Sequence, residues 1–401
     1  MSVRGNNLKP IYTMHSIEGF AMSLIGIFIP IYLLTLGYAI SDLFVFFMIH
    51  YALLPVFGFL AIRIAGRIGL QKTIMTRFPF LFAYLILLFM LKTKDIPLGL
   101  IAVFMSLNSA LYWIPLHILF ARNTDKKEAG SATGKLFALP QIASLAGPLL
   151  GGFIAATFGF KALIGTVCAF LLLSILPLLI GGPRKSHFGF IGRMLALPQL
   201  GGAAHAAHHA LVEALPHKPD FRFEFSRGWE LLKKHPKYFF AEIFDNIGEE
   251  TEAIIWPIFV YLNLLNVAAV GFLGTFLSLG SILITILAGR LTDKHGWKKI
   301  MRVGAVFLAL LWTARYFAES EAVFYALSIL AGMFTVLFLL PYTSRVYSLA
   351  DKKSIDEFFV FREIPVAIGR IALLAAALLF VDNLNALFPI AGAAYLYFLF
   401  L

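Results

Sequence analysis

Glu242, Asp245, Glu249 and Glu252 fall at i, i+3, i+7 and i+10, so a helix through them carries all four carboxyl groups on one face. Glu250 lies off that stripe. The surrounding stretch, 238–262, is otherwise strongly apolar. A charged residue at a bilayer centre costs about 2.5–3.5 kcal/mol on insertion scales. Four of them cannot face lipid. They must face a wet cavity, meet cationic partners or carry protons. Crowded, desolvated carboxyl groups hold protons or bind cations. Asp245, Glu249 and Glu252 are therefore candidate proton or cation sites. Glu242 stands nearer the start of the stretch, where plain solvation also accounts for it.

Cations occur in comparable settings. Arg362 and Arg370 are two helical turns apart, and Arg315 lies in another apolar run. They have two readings. One is structural pairing with the acidic stripe or, for Arg362, with Glu363 beside it. The other is direct binding of an anionic group, which a guanidinium grips with two hydrogen bonds. Asn108, Tyr112, Trp113 and His117 place polar and aromatic groups along one more apolar segment, fit for substrate contact or for packing. His50 reads as a satisfied interhelical group. His205, His208 and His209 have metal-compatible spacing, yet they sit in an Ala/His-rich stretch with His217 beyond, and no metal site or cofactor is assigned.

Composition decides what positions these groups. Of 401 residues, 60% are hydrophobic and 14% charged, against roughly a quarter charged in soluble domains. The apolar residues come in runs long enough to span about 30 Å of hydrocarbon as helices, with none of the alternation of barrel strands. We read spans at 11–36, 41–62, 73–91, 97–121, 136–157 and 162–182. A second set follows at 238–262, 267–288, 300–318, 322–347, 358–381 and 384–401. No cleavable signal peptide is expected. The single cysteine, Cys168, excludes an intrachain disulfide.

The net charge of +11 is distributed by loop. Arg63, Arg67, Lys72, Arg122, Lys126, Lys127, Lys135, Arg290, Lys294, Lys298, Lys299, Lys352 and Lys353 all fall on one side, as does the stretch 183–236. The opposite loops offer little beyond Lys92, Lys94 and Lys161. The positive-inside rule makes the first side cytoplasmic, with both termini there. The basic balance is topology, not nucleic-acid binding. The cytoplasmic stretch 203–215 is expected to form a short amphipathic helix at the membrane surface.

The chain repeats itself at an offset of 226 or 227. Pro10 and Tyr12 map to Pro236 and Tyr238, Pro30 to Pro257, Gly69 and Lys72 to Gly296 and Lys299, and Pro115 to Pro341. Asp125-Lys126-Lys127 maps to Asp351-Lys352-Lys353, and Glu18 maps to Asp245. Two parallel repeats about an axis along the membrane normal are a known transporter architecture, with the substrate between the halves. The expected fold is all-α and integral to the membrane, with about twelve helices in two pseudo-symmetric six-helix bundles, 1–182 and 237–401, joined by the linker 183–236.

The loop after the eighth span reads Gly289-Arg290-Leu291-Thr292-Asp293-Lys294-His295-Gly296-Trp297-Lys298-Lys299. It resembles the cytoplasmic signature G-x-x-x-D-(R/K)-x-G-x-(R/K)-(R/K) of the major facilitator superfamily, with glycines for close approach and an Asp to cap a helix or pair with a base. In the first half the matching stretch runs from Ile62 and Arg63 to Gly69 and Lys72, with Gly66 at the Asp position. The fifth span carries Ala143-Ser144-Leu145-Ala146-Gly147-Pro148-Leu149-Leu150-Gly151-Gly152. That is similar to the superfamily motif G-x-x-x-G-P-x-x-G-G, associated with antiporters, although Gly147 and Gly151 also suit small-residue packing and Pro148 a kink. The resemblance implies that the first, fourth, seventh and tenth spans line a central cavity, which adds Glu18 to the candidate proton sites.

The expected protein is a monomeric secondary transporter in the cell membrane that works by alternating access on a small organic solute, using protons, with antiport and efflux expected from the fifth span. A symporter, a facilitator or an exporter of metal cations through the acidic stripe is the alternative. No Walker loop, His-Glu-x-x-His or Gly-x-Gly-Asp pair supports a pump driven by ATP or a membrane enzyme.

Overall fold

The computed structural model describes residues 9–123, 145–181, 223–350 and 354–401. In the first half, α1 runs through Lys9–Ile25, a 3₁₀ turn at Gly26–Phe28, and Ile29–Thr35. Then come α2 (Ile40–Ile68), α3 (Leu70–Met90), α4 (Leu98–Asn123), α5 (Gly147–Phe158) and α6 (Phe160–Gly181). A short helix, α7 (Phe225–Lys234), ends the linker. In the second half, α8 comprises Pro236–Glu250, a π-helical turn at Thr251–Ile255, and Trp256–Leu264. After it come α9 (Val267–His295), α10 (Trp297–Arg315), α11 (Glu321–Leu349), α12 (Ile355–Leu379) and α13 (Leu384–Phe400). The seventh to twelfth spans are thus α8 to α13.

Seven of these, counting the span Thr13–Thr35 of α1, are long and apolar enough to cross a membrane on length and composition alone. Of the others, α5 and α13 are shorter apolar helices, and α8, α10 and α12 fall short because of their charges. α8 and α12 carry the acids and arginines, and α10 opens on Lys298, Lys299 and Arg302 and closes on Arg315. Hydropathy weakens where the charged groups gather.

The packing is pseudo-symmetric. In the first half α1 lies against α5 and α6, α2 against α4, and α3 against α4 and α6. In the second, α8 lies against α12 and α13, α9 against α11, and α10 against α11 and α13. Two seams join the halves, α2 on α12 and α5 on α9. Lipid tails are as apolar as leucine, so close contact of small residues holds helices together here. The second seam shows it. A Cβ added to Gly271 would lie 2.6 Å from the Pro148 carbonyl oxygen, and one on Gly152 3.2 Å from the Gly271 Cα. Gly147 and Gly151 do the same against Ser23 and Leu24 of α1. The fifth-span glycines and Pro148 therefore pack one helix against two others.

The signature loops are turns with a shared geometry. Gly69 ends α2 at φ +88°, and Gly296 ends α9 at φ +84°. Residues with a Cβ rarely adopt that conformation, so glycine is required at both. Gly289 has nothing near it, and Arg63, Asp293, Lys294 and Lys299 are exposed. Asp293 makes no hydrogen bond or ion pair among the described residues, so the capping or pairing expected of it is not seen here. Lys298 donates to the Leu401 carbonyl oxygen at 2.9 Å, tying α10 to the end of α13. The expected amphipathic stretch 203–215 with its histidines, the start of the fifth span with Ala143, and the Asp125 and Asp351 loops lie outside the described residues.

Candidate functional site

The burial pattern of α1 returns in α8 at an offset of 227. Met14, His15, Glu18, Ala21, Leu24, Phe28, Ile31 and Leu33 are buried, and so are Ala241, Glu242, Asp245, Gly248, Thr251, Ile255, Ile258 and Val260. Glu18 and Asp245 therefore occupy equivalent places, as the sequence offset required. The surroundings of the two differ.

In the first half Glu18 forms a buried ion pair with Arg77 of α3. Arg77 also lies over the Tyr112 ring at 3.8 Å, with Asn108 Oδ1 3.5 Å from its Nη1. Tyr112 is hydrogen-bonded to His15. Asn108, Tyr112 and Glu18 thus come together as one cluster on α1, α3 and α4. Trp113 stands edge-on to His15 and stacks on His117 at 5.8 Å, and it is 42% exposed. His117 reaches across to the other half, with Nδ1 2.5 Å from the Tyr347 hydroxyl and its ring stacked on Phe359. Trp113 lies one turn away on the same face of α4.

The second half is built around three arginines. Arg362 pairs with Glu242 at 2.8 Å, and Tyr342 donates to the same carboxylate at 2.9 Å. Arg370 donates to Asn246 Oδ1 at 2.8 Å and to Glu249 at 3.1 Å, and lies 3.3 Å from Glu250. Arg315 grips Glu252 with two hydrogen bonds, of 2.5 and 3.1 Å, while sandwiched between Trp256 and Trp312 at 4.2 and 4.3 Å. Tyr51 of α2 donates to Glu250 and lies under Arg370, joining the halves at this level. The acidic stripe is therefore mostly paired, and the arginines are its partners.

Asp245 is the exception. It is 6% exposed and makes no hydrogen bond or ion pair among the described residues. Glu242 and Glu249 flank it on α8, Arg362 and Arg370 face it from α12, Tyr342 from α11 and Tyr395 from α13. Glu249, by contrast, is exposed. Glu242, Asp245, Glu249, Glu250, Glu252 and Glu363 lie around these three arginines, apart from Asp356 and Glu357 in the first turn of α12.

Toward the basic-loop side the halves meet again. Arg122 at the end of α4 pairs with Asp356 at the start of α12 at 2.5 Å. Sequence reasoning missed Arg77, Tyr51, His15, Asn246 and Tyr342. Arg77 had a visible signal, as a cation followed by an apolar run in the third span. The others are ordinary polar or aromatic residues until packing gives them a partner.

No protein-family model matches the chain. It is 22% identical over 387 residues to the uncharacterized protein YqgE of Bacillus subtilis (strain 168), covering 93% of this chain and 82% of that one. Three solved structures share its architecture. A POT family transporter in complex with 5-aminolevulinic acid has a TM-score of 0.69 and 14% identity, and one in complex with a thioalcohol conjugated peptide 0.71 and 13%, each match covering 98% of this chain and 94% of theirs. Tetrameric PepTSo2 has a TM-score of 0.65 and 14% identity, with 98% and 96% covered. POT transporters belong to the major facilitator superfamily. The chain has the fold of these transporters, the fold expected from its signature loop.

Proposed function

We propose that the chain is a secondary transporter that couples movement of a small organic solute to protons by alternating access. Asp245 carries this reading. It is a buried carboxyl group without a direct partner among the described residues, in a stripe whose other acids are held by arginines or a tyrosine. Such a group gains or loses a proton more readily than one locked in an ion pair. When the halves rock, its exposure changes, and so does the side from which it exchanges protons. We place the basic loops in the cytoplasm of a cell-membrane protein, with both termini there.

The solute class follows from the charges between the halves. Trp113 and Glu249 are exposed, with Arg370 paired to Glu249, and we assign both to the space between the halves. Both signs of charge and an aromatic face suit a small solute bearing an amine and a carboxylate, the chemistry of the 5-aminolevulinic acid in one neighbour. Metal-cation export has less support. Among the described residues no three acidic, His or Cys side chains converge as ligands. The glycines behind the antiport expectation are accounted for by packing, so the direction of coupling rests on measurement.

The test is proton flux in proteoliposomes enclosing a pH-sensitive dye, with solutes chosen by a thermal-shift screen, since a ligand of the folded state raises apparent stability. Solute addition is expected to move protons, inward with the solute for symport and against it for antiport. Transport that persists after collapse of the proton gradient and in Asp245→Asn with Glu249→Gln would refute the coupling.

A further inference from the structure

The linker helix α7 has two faces with different jobs. Its inner face is docked on the α2–α12 seam. A Cβ on Gly228 would lie 2.1 Å from the Phe361 ring, so the backbone of α7 rests on that side chain. Phe225 packs on Phe361 and Phe59 at 5.0 and 5.6 Å, and Phe223 on Phe59 at 5.9 Å. The Glu224 amide donates to Glu357 at 3.1 Å, and Arg227 lies 3.6 Å from the same carboxylate.

Among the described residues, the outer face is formed by Trp229 and by the side of Phe225 turned away from the seam, and no further ring packs on it. Phe225 is 60% and Trp229 51% exposed. Lys233 continues their line at four-residue spacing, with its ammonium 6.0 Å from the Trp229 ring, and Lys234 and Lys237 are exposed beside it. The docking level tells what this face meets. Phe361 lies six residues into α12, about 9 Å along its axis. One residue, His235, separates α7 from the spanning helix α8. The exposed rings are therefore held at the depth of the headgroups and upper acyl chains. Aromatic rings with lysines beside them match an anionic headgroup layer.

We propose that α7 is an interfacial anchor that binds the surface of anionic phospholipid, with Phe225 and Trp229 immersed and Lys233 and Lys234 on the headgroups. This goes beyond the transport reading and stands whether or not Asp245 couples protons.

The test uses the full chain with Cys168→Ala and a spin label at Ser226→Cys on the outer edge of α7. It is reconstituted in nanodiscs of phosphatidylcholine with or without phosphatidylglycerol. Collision with oxygen and with a soluble nickel chelate reports depth. The label is expected in the lipid-immersed component, more so with phosphatidylglycerol. Lys233→Gln with Lys234→Gln touches no buried contact. It is expected to lower the immersed-to-aqueous ratio about 30-fold in the anionic discs, at about 1 kcal/mol per basic residue, and to change little in phosphatidylcholine. A label in water in both lipids overturns the anchor. Equal immersion in both, unaffected by the lysine pair, overturns the preference for anionic lipid.

Discussion

At the scale of single residues, the two halves treat equivalent carboxyl groups differently. Glu18 is locked to Arg77, and Asp245 is left without a direct partner among the described residues. A buried ion pair that loses one member leaves an uncompensated charge, at a cost of about 3–5 kcal/mol. Arg77→Met is expected to destabilise the purified protein by that order in denaturant unfolding in detergent. Adding Glu18→Leu should recover most of the loss. Arg122→Ala is a contrast. Its side chain is 35% exposed but that of Asp356 only 10%, so solvent screens the pair from one side, and the stability change should fall between about 1 and 3 kcal/mol. Spin labels across the basic-side ends of α4 and α12 should instead report a larger open fraction. The acids were legible in the sequence because helical spacing gathers them on one face. Their partners were not, because Arg77, Tyr51 and Tyr342 reach them across interhelical contacts that no spacing encodes.

At the scale of helices, the repeat survives in burial even where chemistry has diverged. It also survives in an irregularity. The 3₁₀ turn Gly26–Phe28 of α1 and the π turn Thr251–Ile255 of α8 stand at the same place under the 227 offset. One tightens the helix and the other loosens it, and a mid-helix 3₁₀ stretch marks a functional hinge or strain, while π turns gather at functional sites. The π turn lies between Glu250 and Trp256, so it sets the angle between the acids around Asp245 and the Glu252–Arg315 anchor. Deleting Ala253 should restore a regular α-helix and remove the local widening and bend between the two parts. Solute-driven proton flux should be lost while the far-ultraviolet helical signal stays. Gly271→Ala should lower the melting temperature, because its Cβ meets the Pro148 backbone and overpacking costs about 1–3 kcal/mol. The twelve spans could be read from hydropathy and the repeat. The π turn could not, since nothing in Thr-Glu-Ala-Ile-Ile distinguishes it from α-helix.

At the scale of the whole molecule, the fold follows from two copies of one packing scheme joined at two seams. On the transport reading proposed above, alternating access is a change in how the halves meet, and the polar and aromatic contacts on the side of the α2–α12 seam would have to break. They are His117 with Tyr347, Arg122 with Asp356, Tyr51 with Glu250, and the phenylalanine cluster under α7. Sequence reasoning anticipated two bundles but not α7, which precedes the seventh span and ends a linker that was expected to be helical only at 203–215.

The surplus of acids over arginines in the second half has an electrical consequence. On the transport reading proposed above, the acids around Asp245 would carry negative charge through the conformational change, and each proton taken up would cancel one unit of it. A membrane potential acts on such charge with about 2.3 kcal/mol per unit per 100 mV if the full field is crossed. Solute-evoked currents on a supported membrane should therefore steepen or flatten as a potassium diffusion potential is varied. Asp245→Asn, which removes one of the charges, should shift that voltage dependence in a direction that tells whether the loaded or the empty carrier is the charged one.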